Sequence, residues 1–289
     1  MHHSREGLFA VHVAVFIFGL TALFSKLISL TALEITLLRS IFAVLAIALY
    51  IRIKSEPLYL RQGRDYLLMM LLGALLAAHW VTYFHAMQVS SIAIGAIALY
   101  TFPVITVFLE PLFHGERPHL VDIASGFAVL LGIYFLMPTI ELTNHATQGV
   151  LWGVLSALLF SLRNIIQRKH CSHISARHTL LYQSMTVIVV LLPFGSTVIP
   201  QVTSFQWWQL LLLGVVFTAL PHTLFAHSLL HLKAKTASLV ACMQVLYATL
   251  FAALVIGEIP TATTILGGLI IIGAAMYESF FRKNEICVG

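Results

Sequence analysis

The sequence predicts an all-α membrane protein in which ten transmembrane helices form two inverted five-helix repeats. Three observations carry this prediction: a very apolar composition, ten apolar runs of spanning length, and an internal repeat at one constant offset. The distribution of basic residues then orients the chain in the bilayer.

The composition excludes a soluble globular protein. Of the 289 residues, 60% are hydrophobic and 9% are charged, and the mean hydropathy is +0.95. A soluble domain carries about 25% charged residues, so this chain has too few to cover a water-facing surface and has to be surrounded by lipid. Cys171, Cys242 and Cys287 are scattered in apolar or terminal sequence and indicate neither a disulfide framework nor a metal site.

Ten apolar runs have the length of membrane-spanning helices. About 20 apolar residues cross the roughly 30 Å hydrocarbon core as an α-helix. The predicted spans, numbered 1 to 10, are residues 7–28, 34–51, 66–87, 91–110, 120–137, 148–167, 178–196, 206–229, 236–256 and 261–281. The connections between them are short, so no room remains for a soluble domain.

Basic residues are confined to alternate connections. Of the sixteen Lys and Arg residues, all except Lys26, Arg39 and Arg163 lie at the termini or in the even-numbered connections. Because basic loops are retained in the cytoplasm, we expect a multi-pass protein of the cytoplasmic (inner) membrane with both termini in the cytoplasm. The pI of about 9.2 then reflects topology, and no nucleic-acid partner is expected.

A single offset of 142 residues relates the two halves of the chain. It aligns Gly7 with Gly149, Phe18 with Phe160, His85 with His227, and Gly126 with Gly268. The repeat predicts a first five-span domain at 1–145 and a second at 146–289. Because five is odd, the second copy starts on the other side of the membrane. Inverted repeats of this kind are characteristic of carriers that alternate access around a site near mid-membrane, although some channels share them.

A Gly-Glu-x-Pro motif follows the fourth span of both copies, at 115–118 and 257–260. The glycine can end a helix with a positive φ, and the proline suits the first turn of the next helix. Glu116 and Glu258 stand just before that turn, where unpaired N–H groups and the helix dipole favour a carboxylate. We interpret the motif as a capped tight turn. A substrate-binding role for either Glu is the less favoured alternative.

Two segments, Ala86 to Tyr134 and Ser228 to Tyr277, share small residues along the fourth span, then Gly-Glu, then a glycine-bearing last span. This doubled pattern resembles the two EamA domains of the drug/metabolite transporter superfamily over nearly the whole chain. The resemblance implies a ten-span carrier, often an exporter of amino acids or other small metabolites, with a central cavity between the halves. The second copy has Val245 where the first has Pro103, so equal bending of spans 4 and 9 does not follow.

Polar and aromatic residues deep in the spans are the candidate substrate-binding residues, because such groups are expensive in lipid. In span 3, His79 and Tyr83 share one helical face and Trp80 lies on a neighbouring one. His222 is the 142-residue mate of Trp80, so both approach the pseudo-two-fold position. The full candidate set is His79, Trp80, Tyr83, Tyr100, Arg163, His222, Gln244 and Tyr247.

Structural roles compete with this interpretation at several positions. Arg163 can equally extend to the membrane surface, and for Arg39 the surface, with a partner on another span, is the favoured expectation. Hydrogen bonding between helices is by itself a sufficient explanation for Gln244. Pro103 and Pro221 each free a carbonyl, of Leu99 and Phe217, that needs a partner.

The chemistry of the candidate set favours a substrate that carries a carboxylate. Arg, His and amide groups suit an anion, and no Asp or Glu lies near mid-membrane. We therefore expect a secondary transporter, an exporter of an amino acid or a related metabolite. The alternatives are an exporter of amines or cationic drugs, since aromatic faces bind cations, a passive channel, and a polytopic membrane enzyme.

No catalytic motif, metal-ligand pattern or phosphate-binding loop occurs in the sequence. We expect no enzymatic activity, no catalytic residue, no cofactor and no bound metal. The expected partners are a small-molecule substrate and the lipid bilayer, and a homodimer is left open.

Cysteine labelling tests the expected orientation. Cysteines introduced at Asn144 and Ser204, in connections without basic residues, should react from outside intact cells, whereas those at Gln62 and Ser172 should not. Labelling of position 62 from outside would overturn the scheme.

Overall fold

The computed structural model describes residues 2–114, 120–229, 231–232 and 234–281, and these ranges are helical with no β-strand. Seven helical segments are long and apolar enough to cross a membrane, and each coincides with a predicted span. The shorter apolar helices Asp122–Leu136, Met243–Ile256 and Ala262–Glu278 lie on predicted spans 5, 9 and 10. The chain is a multi-pass helical membrane protein, and the count of ten spanning helices stays a prediction.

Fourteen α-helices occur in the described ranges. In chain order they are α1 (His2–Thr21), α2 (Phe24–Leu27), α3 (Ala32–Ile53), α4 (Gly63–Val89), α5 (Ile92–Leu99), α6 (Phe102–His114), α7 (Leu120–Leu136), α8 (His145–His170), α9 (Ala176–Gly195), α10 (Ser204–Gly214), α11 (Leu220–Ser228), α12 (Ala234–Ala241), α13 (Met243–Phe251) and α14 (Ala262–Phe281). A 3₁₀ turn follows α9, and π-helical segments at Val215–Ala219 and Ala252–Ile256 follow α10 and α13.

Helix starts follow the local sequence. Thr31 accepts a hydrogen bond from the Glu34 N–H (3.3 Å), and the Glu34 carboxylate accepts one from the Thr31 N–H (2.8 Å). This reciprocal cap satisfies two donors that the first turn of α3 leaves free. Thr203 and Gln206 form the same reciprocal cap on α10, and the side-chain oxygens of Asn144 and Ser175 accept from N–H groups at the starts of α8 and α9.

Spans 4 and 9 are both interrupted, and at equivalent positions. Span 4 breaks at Tyr100 and Thr101, between α5 and α6, just ahead of Pro103. Span 9 breaks at Cys242, the 142-residue mate of Tyr100, although no proline follows it. The Tyr100 hydroxyl donates to the carbonyl of Ala241. A side chain that bonds a backbone carbonyl in this way disrupts the helical ladder, so Val245 does not prevent a break in the second copy.

Span 8 is distorted where Pro221 removes a backbone donor. The carbonyl of Phe217, which this proline frees, accepts a hydrogen bond from the Thr21 hydroxyl of α1 (3.0 Å). The distortion takes the form of the π-helical turn Val215–Ala219, a common response to an interrupted ladder. The predicted need for a partner at this carbonyl is confirmed.

Equivalent helices of the two halves pack against each other in opposite directions. In the α7–α14 pair, Gly132 lies against Gly267 and Ile271, whereas Val129, earlier in α7, clusters with Ala274, later in α14. In the α3–α9 pair, Leu37 near the start of α3 lies against Gly195 at the end of α9. These two pairs of helices are therefore antiparallel.

The Gly-Glu turn of the second copy contains the expected left-handed glycine, since Gly257 has φ +72° and follows the last residue of span 9. The predicted partner of Glu258 is wrong: its carboxylate accepts a hydrogen bond from the Ile92 N–H (2.9 Å) at the start of α5, and Thr261 caps the next helix. The carboxylate thus stabilises a helix of the other half. Residues 115–118 of the first copy lie outside the described residues.

The two ends of the helical bundle are joined by ion pairs that link the first half to the second. At the end that carries the basic connections, here called the basic end, these ion pairs are Arg177–Glu56 (2.8 Å) and Arg168–Glu110, and the His173 Nε2 lies within hydrogen-bond distance of the Asp65 Oδ1 (3.1 Å). At the opposite end, Lys26 contacts Glu258 (3.4 Å) and donates to the carbonyls of Gln88 and Ser90. Relative motion of the halves would have to break one of these sets.

Close packing of α1 on α13 can be tested with one methyl group. A Cβ added at Gly19 would lie 2.5 Å from the Tyr247 Cβ and 3.3 Å from the Gln244 carbonyl oxygen. Gly19→Ala should therefore separate the helices and lower stability by about 1–3 kcal/mol, measured as a lower melting temperature of the purified protein.

The control is Gly273→Ala in α14, where an added Cβ meets nothing within 4 Å. Alanine favours the helix over glycine by about 1 kcal/mol, so this variant should melt at or above the wild-type temperature. Equal melting temperatures for the two variants would contradict the close contact of α1 with α13.

Candidate substrate-binding site

Six of the eight predicted site residues form one connected cluster at the junction of the two halves. They are His79, Trp80, Tyr83, Tyr100, His222 and Gln244. The Trp80 and His222 rings, mates under the 142-residue offset, meet edge to face with their centroids 6.2 Å apart. Aromatic pairs of this geometry are favourable. The repeat alone had predicted that these two residues approach each other.

His79 is held by the second half. Its Nδ1 lies 3.1 Å from the Ser156 carbonyl oxygen and 2.8 Å from the Ser156 hydroxyl, and its ring stacks on Phe160 at 4.7 Å. A carbonyl oxygen only accepts, so this contact requires the proton on Nδ1 and leaves Nε2 as an acceptor in the neutral ring.

His222 is held in a related way. Its Nδ1 lies 2.7 Å from the Thr218 carbonyl oxygen, and its ring meets Phe18 edge to face at 4.8 Å. Phe18 and Phe160 are mates under the offset, so each half contributes a phenylalanine from its first span to a histidine of the other half. Both imidazoles are thus positioned by contacts that cross the repeat.

The hydroxyls of two tyrosines meet Gln244. The Tyr100 hydroxyl, at the break in span 4, lies 3.3 Å from the Gln244 Oε1 while donating to the Ala241 carbonyl. The buried Tyr83 hydroxyl lies beside Gln244 and completes no hydrogen bond of standard geometry with a described residue. Gln244 therefore joins span 9 to spans 3 and 4.

Arg163 lies apart from this cluster, and three of its five N–H donors are bound by the protein. Nε and Nη2 donate to the Gln183 Oε1 at 2.9 and 2.6 Å, and Nη1 donates to the Asn164 Oδ1 at 3.0 Å. The Nε–Nη2 edge of Arg163 is therefore occupied by Gln183. Arg163 and His222 are both half-buried.

Tyr247 is also separate from the cluster. Its ring packs edge to face on Phe16 at 5.4 Å, on the side of α13 that faces α1. Phe16 is itself exposed on the outer surface of the helical bundle. Gln244 and Tyr247 are close on one helix face, but Gln244 contacts Tyr100 in the interior, whereas Tyr247 contacts Phe16 at the periphery.

Sequence reasoning missed Arg39. It was expected to extend to the membrane surface, but its side chain is buried (3% exposed), with the guanidinium carbon 4.3 Å from the Trp80 ring centroid and 4.6 Å from that of Phe84. The sequence signal for this contact was the pair Trp80 and Phe84, four residues apart on span 3, together with an arginine inside span 2.

The polar cluster is distinct from an apolar groove on the described surface. A groove of about 360 Å³ lies between α6, α7 and α8, and its lining, which includes Val104, Phe108, Phe127 and Leu130, is almost wholly apolar. It contains none of the eight predicted residues. Within the described ranges, no group of three His, Cys, Asp or Glu side chains could hold a metal ion.

A family model with the description EamA-like transporter family matches this chain twice, over residues 5–137 and 147–278. The chain belongs to the EamA-like transporter family. The resemblance to the drug/metabolite transporter superfamily seen in the sequence is confirmed, and the protein is a transporter by family.

Similar EamA-like proteins align with this one over nearly their whole length. An uncharacterized transporter of Archaeoglobus fulgidus is 28% identical over 274 residues, covering 94% of this chain and 96% of the relative. The pseudopaline exporter CntI of Pseudomonas aeruginosa is 26% identical over 288 residues, covering 97% of this chain and 98% of the relative. A crystal structure at 14% identity superposes with a TM-score of 0.65, covering 96% of this chain and 97% of that one, and so shares the fold.

Truncating the two central rings tests the site. Trp80→Ala and His222→Ala should abolish transport while the protein still inserts and folds, because each removes a wall of the cluster. The expected loss of substrate affinity is about ten- to hundred-fold, on the order of 1–3 kcal/mol, measured as concentration-dependent uptake in proteoliposomes.

Trp208→Ala is the matched control, because Trp208 is 69% exposed on α10 and contacts lipid. It should transport nearly as well as the wild type. Active Trp80→Ala and His222→Ala proteins beside an inactive Trp208→Ala protein would place the site elsewhere.

Proposed function

We propose that this EamA-like protein is a secondary carrier that exports a small carboxylate-bearing metabolite, an amino acid or a relative of one, across the inner membrane. In this proposal it works by alternating access, with the basic end and both termini in the cytoplasm. Residues 1–145 and 146–289 are its two inverted domains.

The observation that carries the proposal is the central cluster itself. Side chains from both halves meet there, and Arg39 lies buried against Trp80 with no carboxylate partner in the described part of the chain. Buried charges are normally paired. A substrate carboxylate would supply the missing negative charge.

Inversion of the domains is supported by the antiparallel packing of α7 on α14 and of α3 on α9. Alternating access is supported by the placement of the ion pairs. Lys26–Glu258 joins the domains at one end, and Arg177–Glu56 and Arg168–Glu110 join them at the other. Rocking of one domain on the other would open one set while the other stays closed.

Export of an anion or zwitterion is favoured over export of a cationic drug. The face of Trp80 that could bind an organic cation already carries the Arg39 guanidinium, and like charges there repel. The export direction is supported by the relative named as an exporter. The substrate of that relative is not assigned to this chain.

Counterflow in proteoliposomes tests the proposal. Vesicles loaded with an unlabelled amino acid mixture should transiently accumulate labelled amino acid above its equilibrium level, with saturable initial rates, since a carrier exchanges one substrate for another through one site. A channel gives a monotonic approach to equilibrium with no overshoot. Vesicles with the Trp80→Ala protein provide the matched control, and an overshoot that is equal in both would contradict the proposed site.

A further inference from the structure

Arg39 is a buried cation that has two nitrogens without an acceptor among the described residues. These nitrogens are Nε and Nη2, and both are buried. Aromatic rings contact the guanidinium at its faces and accept no N–H bond at its edge. A buried donor without an acceptor is costly and rare in native proteins, so this arrangement calls for an explanation.

The two unpaired nitrogens belong to the same edge of the guanidinium. Nε–H and the adjacent Nη2–H point in parallel, which is the geometry that binds both oxygens of one carboxylate. The rings of Trp80 and Phe84 hold the plane of the group. The edge is thus preorganised for a planar, two-oxygen anion.

Two further hydroxyls lie in the same region. The Tyr83 hydroxyl, one helical turn from Trp80, is buried beside Gln244 without completing a hydrogen bond of standard geometry, and it lies within electrostatic range of Arg39. The Thr36 hydroxyl, buried and likewise unpaired among the described residues, is three positions before Arg39 on α3 and so shares its face. Two spans of the first half therefore present donors together.

Arg163 provides the internal comparison. Its Nε and Nη2 form the same edge, and that edge is bound to the Gln183 Oε1. The 142-residue mate of Arg39 is Leu181, so the second half has no arginine at the equivalent position. Arg163 instead lies on α8 and is bound by an amide of α9.

We infer that Arg39 is the substrate-binding residue for the carboxylate, which it engages through the Nε–Nη2 edge with the Tyr83 hydroxyl alongside. The inference rests on the proposed carrier function and names the group that recognises the substrate. The ligand is an α-amino acid or a related monocarboxylate, and Arg163 has a structural role.

Melting of the ligand-free protein gives the first test. Arg39→Met removes an unpaired buried charge and keeps an apolar chain against the two rings, so the melting temperature should rise by about 2–4 °C. Arg163→Met leaves the amides of Gln183 and Asn164 without their donor, so its melting temperature should fall. An Arg39→Met protein that melts below the wild type would overturn the inference, because Arg39 would then be a paired structural residue.

Ligand selectivity gives the second test and requires no variant that is hard to fold. The probes are L-leucine, L-phenylalanine and L-glutamate, each paired with its α-carboxamide, added to the purified wild-type protein in a thermal-shift assay. At least one acid should raise the melting temperature and its amide should not. Equal shifts by acid and amide, or no shift with any of the three acids, would overturn the assignment.

Variants of the two arginines then show which residue distinguishes the acid from its amide. Arg39→Lys, which keeps the charge and loses the planar edge, should weaken acid binding about ten- to hundred-fold. The Arg163→Met control should keep the preference for acid over amide. Saturable counterflow with acid selectivity that survives in Arg39→Met would refute the role of Arg39 alone, whereas absence of counterflow in the wild type would refute the carrier function.

Discussion

A polar group that leaves its helix inside the membrane has to find a partner within the protein, because hydrocarbon offers none. The interruptions of this fold follow from that constraint. The carbonyl freed by Pro221 is bonded by Thr21, and the carbonyl next to the break in span 9 is bonded by Tyr100. Both donors come from the other half of the chain. Each distortion is therefore possible only where the two halves meet, which is also where the candidate site lies.

The same constraint separates the roles of the charged residues. Pairs of opposite charge stand at the two ends of the bundle and join one half to the other. The centre contains cations with neutral or aromatic neighbours. The carboxylate of Glu110 is buried, whereas Arg177–Glu56 and Lys26–Glu258 are half-exposed pairs, and ion pairs near a surface contribute little stability each.

Two arginines inside the protein differ in how their donors are used. Three of the five N–H donors of Arg163 are bound by the side-chain oxygens of Asn164 on α8 and Gln183 on α9, so it links those two helices. Arg39 is fixed by the rings of α4 and keeps one edge unpaired within the described protein. A group that is immobilised before it meets its ligand loses little conformational entropy on binding.

Much of the fold could be predicted from the sequence, because spanning length, the period of the repeat and the spacing of basic residues are properties of the chain itself. The repeat also placed Trp80 opposite His222 without any knowledge of packing. Four outcomes depended on which helix lies against a given face: the burial of Arg39, the occupied edge of Arg163, the peripheral position of Tyr247 and the partner of Glu258. Helical periodicity determines on which face of its helix a residue lies, but it does not determine which other helix packs against that face. Only the tertiary structure decided those neighbours, because a hydrogen bond or a ring contact requires two segments to approach within a few ångströms.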